Sequence, residues 1–255
     1  NREKRHTPRQ VLFAEPLGLP LTDAEIFALR RPLVVLQAWV DRAAQMIGMP
    51  SDGEVSQHWS QDIDQRRNCG PIAGSSFSKR APVILFAPCG SSEPRSIDLP
   101  LAVDIALALA AAGARAIIVN PRTLDFPIHR GIVNLTGRTS VTDLAGLCVL
   151  ADCVVAPDTG LLHLAAHVGK PIVGIFTTWA SRLRMSGYTG IALEPEGLLC
   201  APCSDHVCAP HWCSGMIHAD EVVAAVARCL SPKFFLAAPR ISAASFERMI
   251  VYGNL

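Results

Sequence analysis

Cys153-Val-Val-Ala-Pro-Asp-Thr-Gly-Leu-Leu-His-Leu-Ala-Ala166 decides how this chain folds. The run Cys153 to Ala156 is apolar throughout and too short for a helix. Pro157-Asp158-Thr159-Gly160 then breaks it with turn-forming residues, and a helical pattern follows from about Leu161 to Val168. Pro171-Ile-Val-Gly-Ile-Phe176 comes next as a second fully apolar run. A strand with no polar face must be covered on both sides. Strand, loop, helix, strand in that order therefore predicts a parallel sheet with helices on both faces.

The same grammar extends outward. Val83-Ile-Leu-Phe-Ala87 reads as a buried strand ending in the polar loop Pro88-Cys-Gly-Ser-Ser92. Leu101, Ile105, Leu109 and Ala112 form one stripe of a helix that stops at Gly113. Ala116 to Val119 and Val133 to Leu135 are further strands. Ser140 is placed to cap a helix reaching Ala151, with Leu144, Leu147 and Leu150 on its apolar side. A last helix carries Val222, Val223, Val226 and Leu230. Residues 81–232 thus read as one Rossmann-like α/β domain.

Residues 1–80 look different. Leu33 to Leu36 leads into a helix over Val40 to Ile47, ended by Gly48, and Ser51 to Lys79 has the polar composition of a linker. Too little patterned apolar sequence is present there to close a separate domain. The tail 233–255 holds Phe234, Phe235, Leu236, Phe246, Met249 and Ile250, apolar surface to bury on the sheet or on a partner.

Composition limits the function. Lys+Arg 23 against Asp+Glu 22 leaves a net charge of +1, so no global electrostatic case exists for nucleic acid. With hydrophobic residues at 50% and charged residues at 18%, the chain is not disordered. Mean hydropathy is +0.29, yet the most apolar stretch, Leu99 to Val119, is interrupted by Asp104, Gly113 and Arg115. It does not make a span of about 20 apolar residues. Nine cysteines, an odd number, with no apolar leader after Asn1, fit a reducing cytoplasm better than a disulfide scaffold. The first residue is Asn1, which leaves processing and truncation both open.

An anionic ligand must therefore be held by local devices, and two loops supply them. In Gly90-Ser91-Ser92-Glu93-Pro94-Arg95, glycine permits close backbone approach, the hydroxyls donate, and Arg95 adds a positive fork. In Asp158-Thr159-Gly160, the free N–H groups of a helix start favour phosphate, Thr159 can donate, and His163 lies one turn inside. The plainer reading gives Asp158 a capping role, Gly160 a turn and His163 a place in the core. No Walker pattern and no Gly-x-Gly-x-x-Gly follows a strand, which argues against an ATPase or a dehydrogenase.

Cys200-x2-Cys203-x4-Cys208-x4-Cys213 has zinc-knuckle spacing, with His206 and His211 as spare ligands. The knuckle's glycines are absent between Cys200 and Cys213. Two readings stay open, a tetrahedral Fe or Zn site and reduced thiols packing a long loop. A nucleic-acid module built on the knuckle fits poorly with a charge of +1 and only two Tyr.

Asn134-Leu-Thr-Gly-Arg-Thr-Ser140, Asp143-Leu-Ala-Gly146, Ala151 to Ala166 and Gly169 to Phe176 together resemble glycosyltransferase family 9, the ADP-heptose heptosyltransferases of lipopolysaccharide synthesis and their relatives. Ala81 to Pro100, Cys200 to Met216 and Ala38-Trp-Val-Asp-Arg42 resemble flanking parts of the same family. The resemblance implies a GT-B architecture in which 81–232 is the C-terminal, donor-binding domain, 1–80 a partial acceptor-side domain of a chain truncated within a longer protein, and 233–255 a helix packing back toward the N-terminal part. It implies transfer of a heptose-like sugar from an ADP-sugar to a lipopolysaccharide-core, other glycan or protein acceptor, without a metal for catalysis. The setting it implies is the cytoplasm, at the inner face of the inner membrane where the acceptor is lipid-linked. Gly90, Ser91, Ser92, Arg95, Asp158, Thr159, Gly160 and His163 match its donor-diphosphate and sugar contacts. Some relatives hold iron through clustered cysteines. Arg95 stands where the family more often has Lys, Ile97 where it has Trp, and Asn120 to Asp125 lacks the Gly-rich turn and Glu of many members. The catalytic base, an Asp in the family's opening strand, has no counterpart before Ala38. The alternative reading is a sugar-nucleotide-binding module without catalysis.

Overall fold

The computed structural model describes residues 35–49, 80–90, 92–197, 200, 203, 213–230 and 249–253. Helix α1 (Gln37–Met46) precedes β1 (Val83–Phe86), α2 (Leu99–Ala111), β2 (Arg115–Ile118), β3 (Ile132–Asn134), α3 (Val141–Leu150), β4 (Cys153–Pro157) and α4 (Gly160–His167). β5 (Ile172–Ile175), α5 (Arg182–Met185), β6 (Gly190–Leu193), α6 (Ala219–Leu230) and β7 (Met249–Tyr252) complete the described elements. The strands form one seven-stranded sheet in the order β3-β2-β1-β4-β5-β6-β7. All neighbours are parallel except β6 and β7.

Alternation along the strands makes two cores. Val83 and Leu85 of β1 face one side with Val154 and Ala156 of β4. Ile84 and Phe86 face the other with Cys153 and Val155. Helices α1, α3 and α4 cover the first face, and α2 and α6 the second. Phe86, Ile84, Leu85, Ile105, Leu109 and Leu162 are fully buried. Each contributes about 1.5–3 kcal/mol by leaving water, before conformational entropy is counted.

Helix α3 begins as its sequence predicts. The Ser140 hydroxyl accepts the Asp143 backbone N–H, and the Asp143 carboxylate accepts the Ser140 N–H at 2.9 Å, a complete capping box. Asp143 also takes the Arg42 Nε–H at 2.6 Å, which ties α1 to the start of α3. The helices meet closely at Gly146, where a Cβ would lie 2.2 Å from the Trp39 carbonyl oxygen. Val40, Ala43, Ala44 and Ile47 thereby join the core of the sheet. The segment assigned to residues 1–80 thus places its one described helix on the sheet of residues 81–232. Residues 1–34 and 50–79 lie outside the described residues.

The tail requires a correction. Of 233–255, expected as a helix, Met249–Tyr252 form a strand paired antiparallel to β6. β6 would otherwise leave a row of unpaired backbone groups at the sheet edge, and Met-Ile-Val-Tyr is a sequence suited to fill it. Gly253, with φ +69, turns the chain away. Residues 231–248 lie outside the described set. Among the described residues no helix is long and apolar enough to cross a membrane.

Candidate functional site

In an open sheet of this kind ligands sit beyond the carboxyl ends of the strands, where the strand order reverses direction. Here that point lies between β1 and β4, which pair side by side. The two loops singled out in the sequence leave from those two strand ends. The fold therefore brings them together.

The β1 loop is folded on itself. The Gly90 N–H donates to Ser96 Oγ at 3.1 Å, and that hydroxyl donates to the Ser92 carbonyl at 2.9 Å. A Cβ on Gly90 would lie 2.6 Å from Arg95 Cβ and 2.7 Å from the Arg95 carbonyl oxygen, so only glycine fits against this turn. Pro94 is buried beneath it, and its carbonyl accepts the Thr177 hydroxyl at 2.5 Å. Ser92 and Arg95 are half-buried, and Arg95 is close enough to act electrostatically on Asp158. Ile97 is buried in the core and accepts no ligand role. Ser91 lies outside the described residues.

The β4 loop answers the capping question. Thr159, not Asp158, is the N-cap of α4, and it makes no side-chain cap bond. Its Oγ1 is buried and has no hydrogen-bond partner. The first backbone N–H groups of α4 have no partner within the helix, and the first turn holds no acidic residue. A donor hydroxyl, open N–H groups and a positive helix end converge there.

Asp158 is buried and is used elsewhere. Its Oδ2 accepts the Arg184 Nε–H at 3.0 Å, and its Oδ1 lies 3.7 Å from His163 Nε2. Burial pushes the carboxyl toward its neutral form. The His163 contact, the Arg184 charge and hydrogen bond, and the Arg95 charge outweigh it, so the carboxyl is held below its ordinary value. His163 is not a core histidine, because 40% of its side chain is exposed. Its Nδ1 is 2.7 Å from the Tyr188 hydroxyl, and the two rings meet edge to face at 5.8 Å. Arg184 stacks over Trp179 at 5.7 Å. Arg184, Tyr188 and Trp179 were not legible as site residues. The one available signal was that Tyr188 is one of only two tyrosines.

The ends of β2 and β3 close a neighbouring wall. The Gly137 N–H donates to the Asn120 carbonyl at 2.8 Å, and a Cβ there would lie 2.5 Å from Thr123 Oγ1. The glycine that makes the 120–125 turn compact thus comes from the β3 side.

The cysteines divide. Cys200 is exposed, Cys203 and Cys213 are half-buried, and the Cys203 N–H donates to the Thr178 carbonyl at 2.8 Å. Cys208, His206 and His211 lie outside the described residues. Among the described residues no three His, Cys, Asp or Glu side chains gather as metal ligands, and no step proposed below runs through a metal.

Residues 109–189 match the model of glycosyltransferase family 9 (heptosyltransferase), a stretch that runs from α2 through Tyr188 and includes the whole β4 loop. Over that stretch the chain is similar to this family. Escherichia coli ADP-heptose lipopolysaccharide heptosyltransferase II is similar in structure at TM-score 0.50 and 17% identity, over 72% of this chain and 53% of that one. The family 9 glycosyltransferase of Veillonella parvula DSM 2008 is similar at TM-score 0.51 and 14% identity, over 78% and 53%. The chain spans about half the length of these family 9 structures. At such identities the likeness is one of fold. No curated protein sequence matches the chain.

Proposed function

We propose that this chain is the donor-binding part of a family 9 glycosyltransferase and that its ligand is an ADP-sugar of the heptose type. The observation that carries the reading is Thr159 Oγ1, a buried hydroxyl without a partner at the N-cap of α4, at the point where the strand order reverses. A buried donor left unpaired costs about 1–3 kcal/mol, and a phosphate oxygen would satisfy it.

In this reading the diphosphate sits between the β1 loop and the start of α4. Gly90 and Ser92 let the backbone approach. Arg95 supplies charge from one side, while Thr159, the N–H groups following Gly160 and His163 Nε2 supply donors from the other. Ser91, carried by the same loop, is assigned to the same role. As the sugar–phosphate bond breaks, negative charge grows on the departing ADP. Donors fixed in advance stabilise that charge without a metal. The base that activates the acceptor hydroxyl is assigned to the acceptor-side domain of the whole protein. The acceptor is a glycan, protein or lipid-linked core sugar, and the ADP-sugar places the reaction in the cytoplasm, at the inner membrane face for a lipid-linked acceptor.

Thermal unfolding with ADP tests the reading. Millimolar ADP is expected to raise the Tm, because a ligand that binds only the folded state stabilises it by mass action. His163→Ala and Arg95→Ala are expected to abolish the rise. No rise in the unsubstituted chain at millimolar ADP rejects donor binding. ADP binding in a full-length protein that transfers no sugar would instead assign the non-catalytic role.

A further inference from the structure

The segment 177–188, between β5 and β6, carries none of the motifs that mark the two anion loops, yet it touches both. Thr177 reaches the β1 loop through the Pro94 carbonyl. Arg184 reaches Asp158, and Tyr188 reaches His163. The segment is anchored from the other side as well. The Ser181 N–H donates to a Glu194 carboxylate oxygen at 2.5 Å, and the Ser181 hydroxyl pairs with the Tyr252 hydroxyl of β7 at 2.7 Å. Ser181 is fully buried and Tyr188 is buried. Arg184 is fixed further by stacking on Trp179.

Two consequences follow for a bound anion. A bare carboxylate at Asp158 would repel a phosphate seated at the next residues of the same loop. Arg184 offsets that charge with a directed hydrogen bond. The second concerns the His163 proton. Asp158 Oδ1 lies on the Nε2 side and, as a carboxylate, can only accept. That carboxylate favours the tautomer with the proton on Nε2, in which Nδ1 accepts from the Tyr188 hydroxyl. At 3.7 Å the Nε2–H is not committed to Asp158.

We propose that Arg184 and Tyr188 are positioning residues for the donor diphosphate: Arg184 neutralises and orients Asp158, and Tyr188 fixes the His163 ring so that its Nε2–H points to a phosphate oxygen. The inference rests on the donor-binding reading above. It adds a second layer behind residues that touch the ligand, drawn from a segment with no part in the strand–loop–helix motif.

The test uses the full chain, with ADP and adenosine as probes and Arg184→Met, Arg184→Lys and Tyr188→Phe as variants. Tyr188→Phe removes one oxygen and keeps the buried ring. Each of Arg184→Met and Tyr188→Phe is expected to weaken ADP about tenfold while changing adenosine less than about twofold, and Arg184→Lys to recover part of the loss. The nitrogen shifts of His163 give a readout that needs no ligand. The unsubstituted chain is expected to show a single Nε2–H tautomer, and Tyr188→Phe a mixture. An unchanged ADP-to-adenosine ratio in both variants, even with a lowered Tm, overturns the proposal, as does an unaltered tautomer in Tyr188→Phe. Failure of the unsubstituted chain to bind ADP is a separate result that sinks the donor-binding reading.

Discussion

The Trp39 carbonyl oxygen and the Gly146 Cα meet so closely that a single added methyl would lie 2.2 Å from that oxygen. Helix interiors ordinarily gain about 0.5–1 kcal/mol when glycine becomes alanine. Here the methyl has no room, and forcing a core apart typically costs about 1–3 kcal/mol. Gly146→Ala is therefore expected to lower the Tm by several degrees while leaving ADP affinity within about twofold, since α1 and α3 are not part of the anion loops. A raised Tm in calorimetry would show that α1 does not sit on α3.

Thr159→Val tests the orphan hydroxyl from both ends. The substitution keeps the shape and removes a buried donor without a partner. The unliganded protein is expected to keep or gain stability, by up to about 1 kcal/mol, while ADP affinity falls about tenfold. Chemical denaturation read beside ADP titration separates the two effects. Equal losses in both would make Thr159 a structural residue.

Asp143 and Asp158 define the acid limit. Burial pushes each carboxyl up, but for Asp143 the Ser140 and Arg42 bonds, and for Asp158 the His163 and Arg184 contacts, outweigh it and leave both below the ordinary 3.8. A lowered folded-state value means that the stability these groups contribute is complete above the unfolded value, near 4, and is lost as pH falls through the folded values. Asp143→Asn is expected to lower the Tm at pH 7, where its bonds are intact in the parent. It is also expected to make the Tm decline less steeply below about pH 4. Parallel Tm–pH curves for parent and variant would contradict this.

Thiol reactivity should follow burial. Burial pushes the Cys148 thiol up to about 12, although Lys170 pulls against it, and Cys153 is raised well above its ordinary value. Partial burial also raises Cys89, against the pull of the Arg122 charge. At pH 8, peptide mapping after alkylation is expected to find Cys148 and Cys153 unlabelled until the protein is denatured, and Cys89 slow. Rapid native labelling of Cys148 would mean that the α3 face opens readily.

The chelator experiment tests the metal-free chemistry. ADP affinity measured in EDTA is expected to match that in its absence. The content of Fe and Zn in purified protein reads the cysteine cluster independently: about one ion per chain for a four-cysteine site, and below about 0.2 for packed thiols. A loss of ADP binding in EDTA would return the metal to the site.

Much of this was legible in the sequence because it was local. Val83–Phe86, Cys153–Pro157 and Ile172–Ile175 are apolar on both faces, which only a covered parallel strand allows. Ser140 and Asp143 announce the start of α3 by their spacing. Gly190–Leu193 is a strand of four residues that begins with a glycine, too short a pattern to mark itself in the sequence. For Met249–Tyr252 the family resemblance points to a helix, and only the open edge of β6 makes these residues a strand. In the site, Asp158, Thr159 and His163 follow from a strand running into a helix. Arg184 and Tyr188 lie 26 and 25 residues away from their partners, and no local pattern says that the loop after β5 folds back.

The pairing of β1 with β4 also sets when the site can exist. Val83 and Asp152, joined by a hydrogen bond at the base of these strands, are 69 positions apart. A nascent chain displays the β1 loop long before β4 is made, and that loop has no second wall until β4 arrives. The supports at Arg184 and Tyr188 come later still, and the Tyr252 anchor after both. During synthesis the protein therefore passes through a long interval with a sheet half-built and no competence for an anion. The two-walled site is completed late, as the strands beyond the reversal point close against β1.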